Sequence, residues 1–235
     1  MMAGRFDNIV KALFNDLEFR DQVNLSAINS INWARLMPQV VYYFAAALRL
    51  GAPAKKVAFS VPTGNFGNVF AGYVAVQMGL PVERLIIASN QNDILPRFFA
   101  SGAMARELVV PSLSPSMDIQ VSSNFERLLF ELLDRDGIAT ADVMKQFAET
   151  GQFHVDASVL ARANALFSAY RLDDDGTIAE IAATAKQNDM TIDPHSAVGV
   201  YAARQAHADG TVPVDVSIVA LACAHPAKFD AAVTK

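Results

Sequence analysis

Near the start of the chain, apolar positions recur three and four residues apart. Phe6, Ile9, Val10, Leu13, Phe14 and Leu17 fall on one stripe, which predicts a helix over Phe6–Phe19. A longer helical pattern runs from Ser30 to Leu50, with Pro38 inside it as a kink or boundary. The period then shortens. Val57-Ala58-Phe59-Ser60-Val61 has the length and apolar density of a buried strand, Phe66–Met78 returns to helical spacing, Gly79 stops it, and Arg84–Ala88 is a second strand pattern. Strand, helix and strand in that order predict a parallel pair, because parallel neighbours need a long crossover. Downstream, helices are predicted over Ser123–Leu133, Thr140–Glu149, Val155–Tyr170, Gly176–Asn188 and His195–Ala208, and a further buried strand over Val216–Ala222. Strands set among helices predict an α/β class, three layers deep around a parallel sheet.

Composition narrows the functional classes. Of 235 residues, 52% are apolar without counting glycine, against roughly 45–50% with glycine included in an average soluble domain. The chain can bury a sizeable core, and no repeat, low-complexity tract or Pro/Gly-rich linker divides it. The longest unbroken apolar run, Val40–Leu48, is far short of the roughly 20 residues that span a bilayer, and no charged n-region with an apolar core opens the chain, so no membrane insertion or secretion is expected. Cys223 is alone, which excludes a disulfide framework within the chain and agrees with a reducing cytoplasm. A net charge of −5, with Lys55-Lys56 as the longest basic cluster, argues against nucleic acid as a partner.

Three polar stretches carry candidate chemistry. The first is VPTGNFGN, Val61–Asn68, at the junction of a predicted strand and its crossover helix. A turn of this kind presents backbone N–H groups at the positive end of a helix dipole and suits a phosphate; Gly64 and Gly67 allow close approach, and Asn65 and Asn68 tolerate left-handed angles. The alternative is a tight βα turn with asparagine caps. The stretch is neither a dinucleotide GxGxxG nor a GxxxxGK[ST] loop, and no lysine follows it. In the second stretch, Asn29–Arg35, Ser30, Asn32 and Arg35 could converge on an anion, or could cap a helix with Arg35 in a surface ion pair. In the third, Cys223 and His225 follow the last predicted strand, at the end where ligands bind in open α/β sheets; the plainer readings are a small buried hydrophobe and a helix cap. Asp193-Pro194-His195 reads as a helix entrance. No CxxC or HxxxH spacing supports a metal site.

Taken in order, NSINWARLMPQVVYYF, VPTGNFGN, SMDIQVSSNFERLLFEL, DPHSAVGVYAA and CAHPAKF closely resemble the carboxyl-terminal portion of the threonine synthase family, in the pyridoxal-phosphate-dependent fold-type II (tryptophan synthase β-like) superfamily. The opening AGRFDNIVKALFND resembles the family's segment just ahead of NSINWAR. The resemblance implies that residues 1–28 are a remnant of the smaller domain and its connection, and 29–235 the carboxyl-terminal part of the large domain. It implies that Gly64, Asn65, Phe66, Gly67 and Asn68 hold the phosphate of pyridoxal phosphate. Cys223 stands where the family usually presents a threonine to the pyridine nitrogen, a weaker hydrogen-bond partner of the same neutral kind. Ser30, Asn32 and Arg35 are assigned to the phosphate or carboxylate of the substrate. The implied reaction of the intact enzyme is conversion of O-phospho-L-homoserine and water to L-threonine and phosphate. The alternatives are another fold-type II lyase, such as a serine or threonine dehydratase, or a non-catalytic chain that binds a phosphorylated ligand.

One absence matters. The family's Schiff-base lysine and its Ser/Gly/Asp/Thr-rich substrate loop lie in its amino-terminal half, and neither motif is visible here. Lys11, Lys55, Lys56, Lys145, Lys186, Lys228 and Lys235 all fall outside the lysine motif, so no residue of this chain is assigned as the catalytic base. The expectation is a chain that is inactive alone, with apolar edges left by strands it lacks, and that pairs with an amino-terminal half or self-associates. A mean hydropathy of +0.24 agrees with such a surface.

Overall fold

The computed structural model describes residues 12–26 and 32–233. The helix expected over Phe6–Phe19 lies partly outside that range. Within it, residues 12–15 are helical, and Asp16 then interrupts the helix. Its carboxylate accepts the Phe19 N–H at 3.1 Å and starts α1, Leu17–Gln22, none of whose side chains is buried. The long pattern to Leu50 resolves into α2 (Trp33–Leu36), a 3-10 turn (Met37–Gln39) and α3 (Val40–Arg49). Pro38 explains the break, since it has no N–H for the helical ladder.

The expected strand-helix-strand unit is present as β1 (Val57–Pro62), α4 (Gly67–Gln77) and β2 (Val82–Ser89), with β1 and β2 parallel. It is followed by α5 (Ile94–Ser101) and β3 (Ala103–Ala105), for which the sequence pattern raised no expectation. Then come α6 (Phe125–Leu132), α7 (Gly137–Thr150) and β4 (Gln152–His154), which pairs antiparallel with β3. The helix expected over Val155–Tyr170 is a correction. It is two elements, α8 (Ala157–Asn164) and β5 (Phe167–Arg171), and the second half becomes a strand because β2 offers it a ladder from Leu85 opposite Phe167 to Ser89 opposite Arg171. Then follow α9 (Asp174–Asn188), α10 (Pro194–Ala208), β6 (Ser217–Ala220), a 3-10 turn (Pro226–Lys228) and α11 (Asp230–Val233).

The main sheet has the order β5-β2-β1-β6 and is parallel throughout. All six residues of β1 are buried, as expected of a strand covered on both faces. Val57, Phe59, Val61, Leu85 and Ile87 join the larger core with side chains from α3 to α6, whereas Ala58, Ile86 and Ala88 pack on Val198, Ala202 and Ala206 of α10. This alternation makes the three layers. On the α10 side, a Cβ on Gly199 would stand 3.0 Å from the Pro62 ring, and Ser60 Oγ donates to the Gly199 carbonyl at 2.6 Å, so side chains of the strand meet the helix backbone directly. β6, by contrast, is an edge strand whose Ile218, Val219 and Ala220 are only half-buried.

Candidate functional site

The chain leaves β1 through α4 to β2 and β5 on one side, then returns through α10 to β6 on the other side of β1. That reversal places a crevice between the carboxyl ends of β1 and β6, where open α/β sheets bind ligands. A cleft of about 800 Å³ opens there, lined among others by Gly64, Asn65 and Asn68 after β1, Cys223 after β6, Arg35 from α2 and His195 from α10. Three stretches far apart in the chain thus meet in one cavity.

The turn after β1 is built to turn amides inward. Ser122 Oγ donates to the Gly64 carbonyl at 2.8 Å, and the Asn124 N–H donates to the Asn65 carbonyl at 2.9 Å. In a trans peptide the following N–H points the opposite way, so the amides of Asn65 and Phe66 face away from Ser122 and Asn124. They join the amino-terminal N–H groups of α4 that follow Gly67. The left-handed residue is Phe66, at φ 66°, rather than either asparagine. Its ring is buried against Phe125 and Phe167, at centroid distances of 5.3 and 6.0 Å, and that packing holds the backbone in place. Asn65 Oδ1 accepts the Gly67 N–H at 3.0 Å and so closes the turn. Gly64 is required by crowding, since a Cβ there would stand 2.6 Å from the carbonyl oxygen of Ser116. Beneath the turn, buried Tyr43 donates its hydroxyl to Asn68, 2.8 Å from the carbonyl and 3.1 Å from Oδ1.

Cys223 forms the opposite wall. Its side chain opens to the cleft, yet the protein packed beneath it, and secondarily the Asp193 carboxylate, push its thiol from the ordinary 9.0 to about 12. The thiol is therefore a neutral donor at pH 7, with Leu221 O at 3.8 Å, and not a nucleophile. Iodoacetamide should alkylate Cys223 in the folded chain about 50-fold more slowly at pH 8 than in urea, because the loss of thiolate outweighs its greater intrinsic reactivity. Equal rates would refute the shift. His225 takes the plainer of its two readings: its Nδ1 accepts the Ala227 N–H at 3.2 Å as a helix cap. Asp193 caps α10, with Pro194 in the first turn, as the sequence suggested.

The Asn29–Arg35 stretch divides. Ser30 lies outside the described residues. Asn32 caps α2 by accepting the Ala34 N–H at 2.9 Å, and Trp33 lies on another face, under the Arg127 guanidinium at 5.7 Å. Arg35 reaches the cleft, and among the described residues its guanidinium has no carboxylate partner, unlike the surface ion pair considered for it. Sequence reasoning assigned no role to Ser116, Met117, Tyr42 or Phe229, which also line the cleft. They lie in the SMDIQVSSNFERLLFEL, NSINWARLMPQVVYYF and CAHPAKF stretches, but no local pattern says that they face β1. None of Lys55, Lys56, Lys145, Lys186 or Lys228 lines the cleft. Among the described residues there is no cluster of metal-ligand type, and no helix is long and apolar enough to cross a membrane.

The donor set suits a phosphate on a flat, neutral-ended ring. Backbone amides gather at a helix start crowded enough to require glycine, and a protonated thiol lines the same cleft. With the doubly wound parallel sheet, this architecture is that of the pyridoxal-phosphate-dependent fold-type II class. A family model described as "Threonine synthase, C-terminal" matches residues 196–235. The chain is 50% identical to the threonine synthase of Pseudomonas aeruginosa over 235 residues, covering 99% of this chain and 49% of that protein. It is 42% identical to that of Saccharomyces cerevisiae, again over 99% and 49%. The crystal structure of PLP-bound threonine synthase from Brucella melitensis superposes with a TM-score of 0.91 at 53% identity, covering 97% of this chain and 48% of that one. A threonine deaminase from Solanum lycopersicum shares the fold alone, with a TM-score of 0.58 at 13% identity over 93% of this chain and 52% of that one. The chain is a relative of threonine synthases and matches their carboxyl-terminal portion, spanning about half their length.

Proposed function

We propose that this chain supplies the phosphate- and ring-binding half of a cytoplasmic threonine synthase, whose intact form converts O-phospho-L-homoserine and water to L-threonine and inorganic phosphate. The observation that carries this reading is the convergence of the α4 amino terminus, the neutral Cys223 thiol and the Arg35 guanidinium on one cleft. Pyridoxal phosphate bound there supplies an electron sink for carbanion chemistry at the substrate. Gly64, Asn65, Phe66, Gly67 and Asn68 hold its phosphate, chiefly through the inward amides. Cys223 offers a neutral S–H to the ring nitrogen and leaves that nitrogen unprotonated. Arg35 clamps the carboxylate or phosphate of the substrate; Asn32 contributes by starting the helix that aims it, and Ser30 belongs to the same motif.

Residues 29–235 form the carboxyl-terminal part of the large domain in this reading, and residues 1–28 a remnant of the smaller one, which agrees with the fully unburied α1. The rest of the enzyme, including its lysine, comes from an amino-terminal half. The half-buried β6 edge and the outward side chains of α3, with Val41 and Tyr42 each 61% exposed, offer that half an apolar seat. Phosphate release from O-phospho-L-homoserine by the assembled enzyme tests the activity. Arg35→Ala should raise KM about 10- to 100-fold, the worth of a charge-assisted pair. Unchanged KM and kcat would remove Arg35 from the site, and no phosphate release by the parent enzyme would refute the activity.

A further inference from the structure

We propose that Asp193 is a positioning residue that holds the two walls of the cleft in register, fixing Cys223 through Ser196 and the Ser116 loop through His195. The inference rests on the cofactor-binding reading above, although its geometry stands independently.

Asp193, His195 and Ser196 are all buried, at 1%, 3% and 5% exposure. An aspartate at a helix start ordinarily accepts the amides of the first turn. Asp193 Oδ1 does so, with the His195 N–H at 3.0 Å and the Ser196 N–H at 3.4 Å. The same carboxylate has two further partners outside the capping pattern. Oδ1 also accepts from His195 Nδ1 at 2.9 Å, and Oδ2 accepts from the Ser196 hydroxyl.

Each of these side chains passes the constraint on. A hydroxyl that donates to Asp193 presents its lone pairs elsewhere, and Ser196 Oγ accepts the Cys223 N–H at 3.2 Å. An imidazole with its proton on Nδ1 is an acceptor at Nε2, and that atom takes the Ser116 N–H at 3.3 Å. Ser116 is in turn the residue whose carbonyl crowds Gly64. One carboxylate therefore links the residue facing the ring nitrogen to the loop that backs the phosphate turn. Burial alone would raise the Asp193 carboxyl, and the hydrogen bonds from His195 and Ser196 outweigh it and hold it below the usual range. Asp193 accordingly stays an anion that accepts only, as the relay requires.

Residue-resolved amide hydrogen exchange on the full chain as isolated, with any partner bound, tests this without cofactor or substrate. In Asp193→Ala, exchange at both Ser116 and Cys223 should rise about ten-fold or more. Ser196→Ala should release Cys223 but not Ser116, Ser196→Thr should restore its protection, and His195→Ala should release Ser116 but not Cys223. A simple helix cap predicts another pattern: Asp193→Ala would accelerate only the amides of His195 and Ser196. That result would overturn the proposal. Should the Asp193 variant fail to fold, the parent and the Ser196 pair decide, since a Cys223 amide exchanging at the unprotected rate in the folded parent is equally fatal. Absence of phosphate release by the assembled parent enzyme would refute the proposed function and leave this relay untouched, so the two can fail separately.

Discussion

Gly64→Ala should weaken pyridoxal phosphate binding about 100-fold and lower the melting temperature by about 5 °C. The new methyl would stand 2.6 Å from the Ser116 carbonyl oxygen, inside van der Waals contact, and its neighbour is backbone rather than a side chain that can swing away. Overpacking of this kind costs about 1–3 kcal/mol, which sets the thermal shift. The larger effect is on the ligand. Either the turn retreats from Ser116, carrying the Asn65 and Phe66 amides with it, or the Ser116 loop lifts; a displacement of about 1 Å in a preorganised site is worth roughly 100-fold. Fluorescence titration of parent and variant with pyridoxal phosphate reads the first quantity and a thermal melt the second. Unchanged affinity would mean that the turn after β1 does not hold the phosphate.

Phe66→Ala should be the most destabilising substitution in the turn, by about 3–5 kcal/mol. The ring is 1% exposed and sits between Phe125 and Phe167, joining the phosphate turn to α6 and β5. Its backbone is left-handed at φ 66°, a conformation that a residue with a Cβ holds at a cost of about 1–2 kcal/mol. Alanine keeps that strain and loses the packing that offsets it. Glycine loses the packing but also the strain, so Phe66→Gly should be the milder change by about 1 kcal/mol, the reverse of the usual order. Urea midpoints of the two variants give the comparison. An alanine variant within 1 kcal/mol of the parent would show that the ring does not anchor the turn.

Much of this was legible in the residues, and the failures have physical causes. The β1-α4-β2 unit could be read because β1 and the Leu85–Ser89 part of β2 are buried on both faces and leave short apolar runs. Helix α10 announced itself through Asp193 and Pro194, a capping residue followed by a proline at the first turn. Phe167–Arg171 was misread because its apolar residues continue those of α8, and only the ladder to β2 makes it a strand. Helix α5 went unpredicted: eight residues is a short window, and Pro96 reads as a breaker until its place in the first turn, where its missing N–H is harmless, is known.

The site was legible as three separate stretches and not as one cavity. Gly64 and Asn68 could be nominated from local turn chemistry, and Cys223 from its place after a strand. What brings them together is the strand order, with β6 returning to lie beside β1, and no local pattern encodes that order. The same holds for Ser116 and Phe229, whose neighbours in sequence say nothing about the strand ends they face. The left-handed position was assigned by residue type to the asparagines, whereas burial of the aromatic ring gives it to Phe66.

The account stands most directly on whether the cofactor's phosphate seats on the α4 amino terminus. The measurement is an amide chemical-shift titration of the chain with pyridoxal phosphate, run beside an identical titration with pyridoxal, which lacks the phosphate. The account predicts saturable shifts with pyridoxal phosphate, largest at residues 64–69 and at Cys223, and weak or absent shifts at residues 64–69 with pyridoxal. Shifts concentrated elsewhere, or the same at residues 64–69 for both compounds, would contradict it.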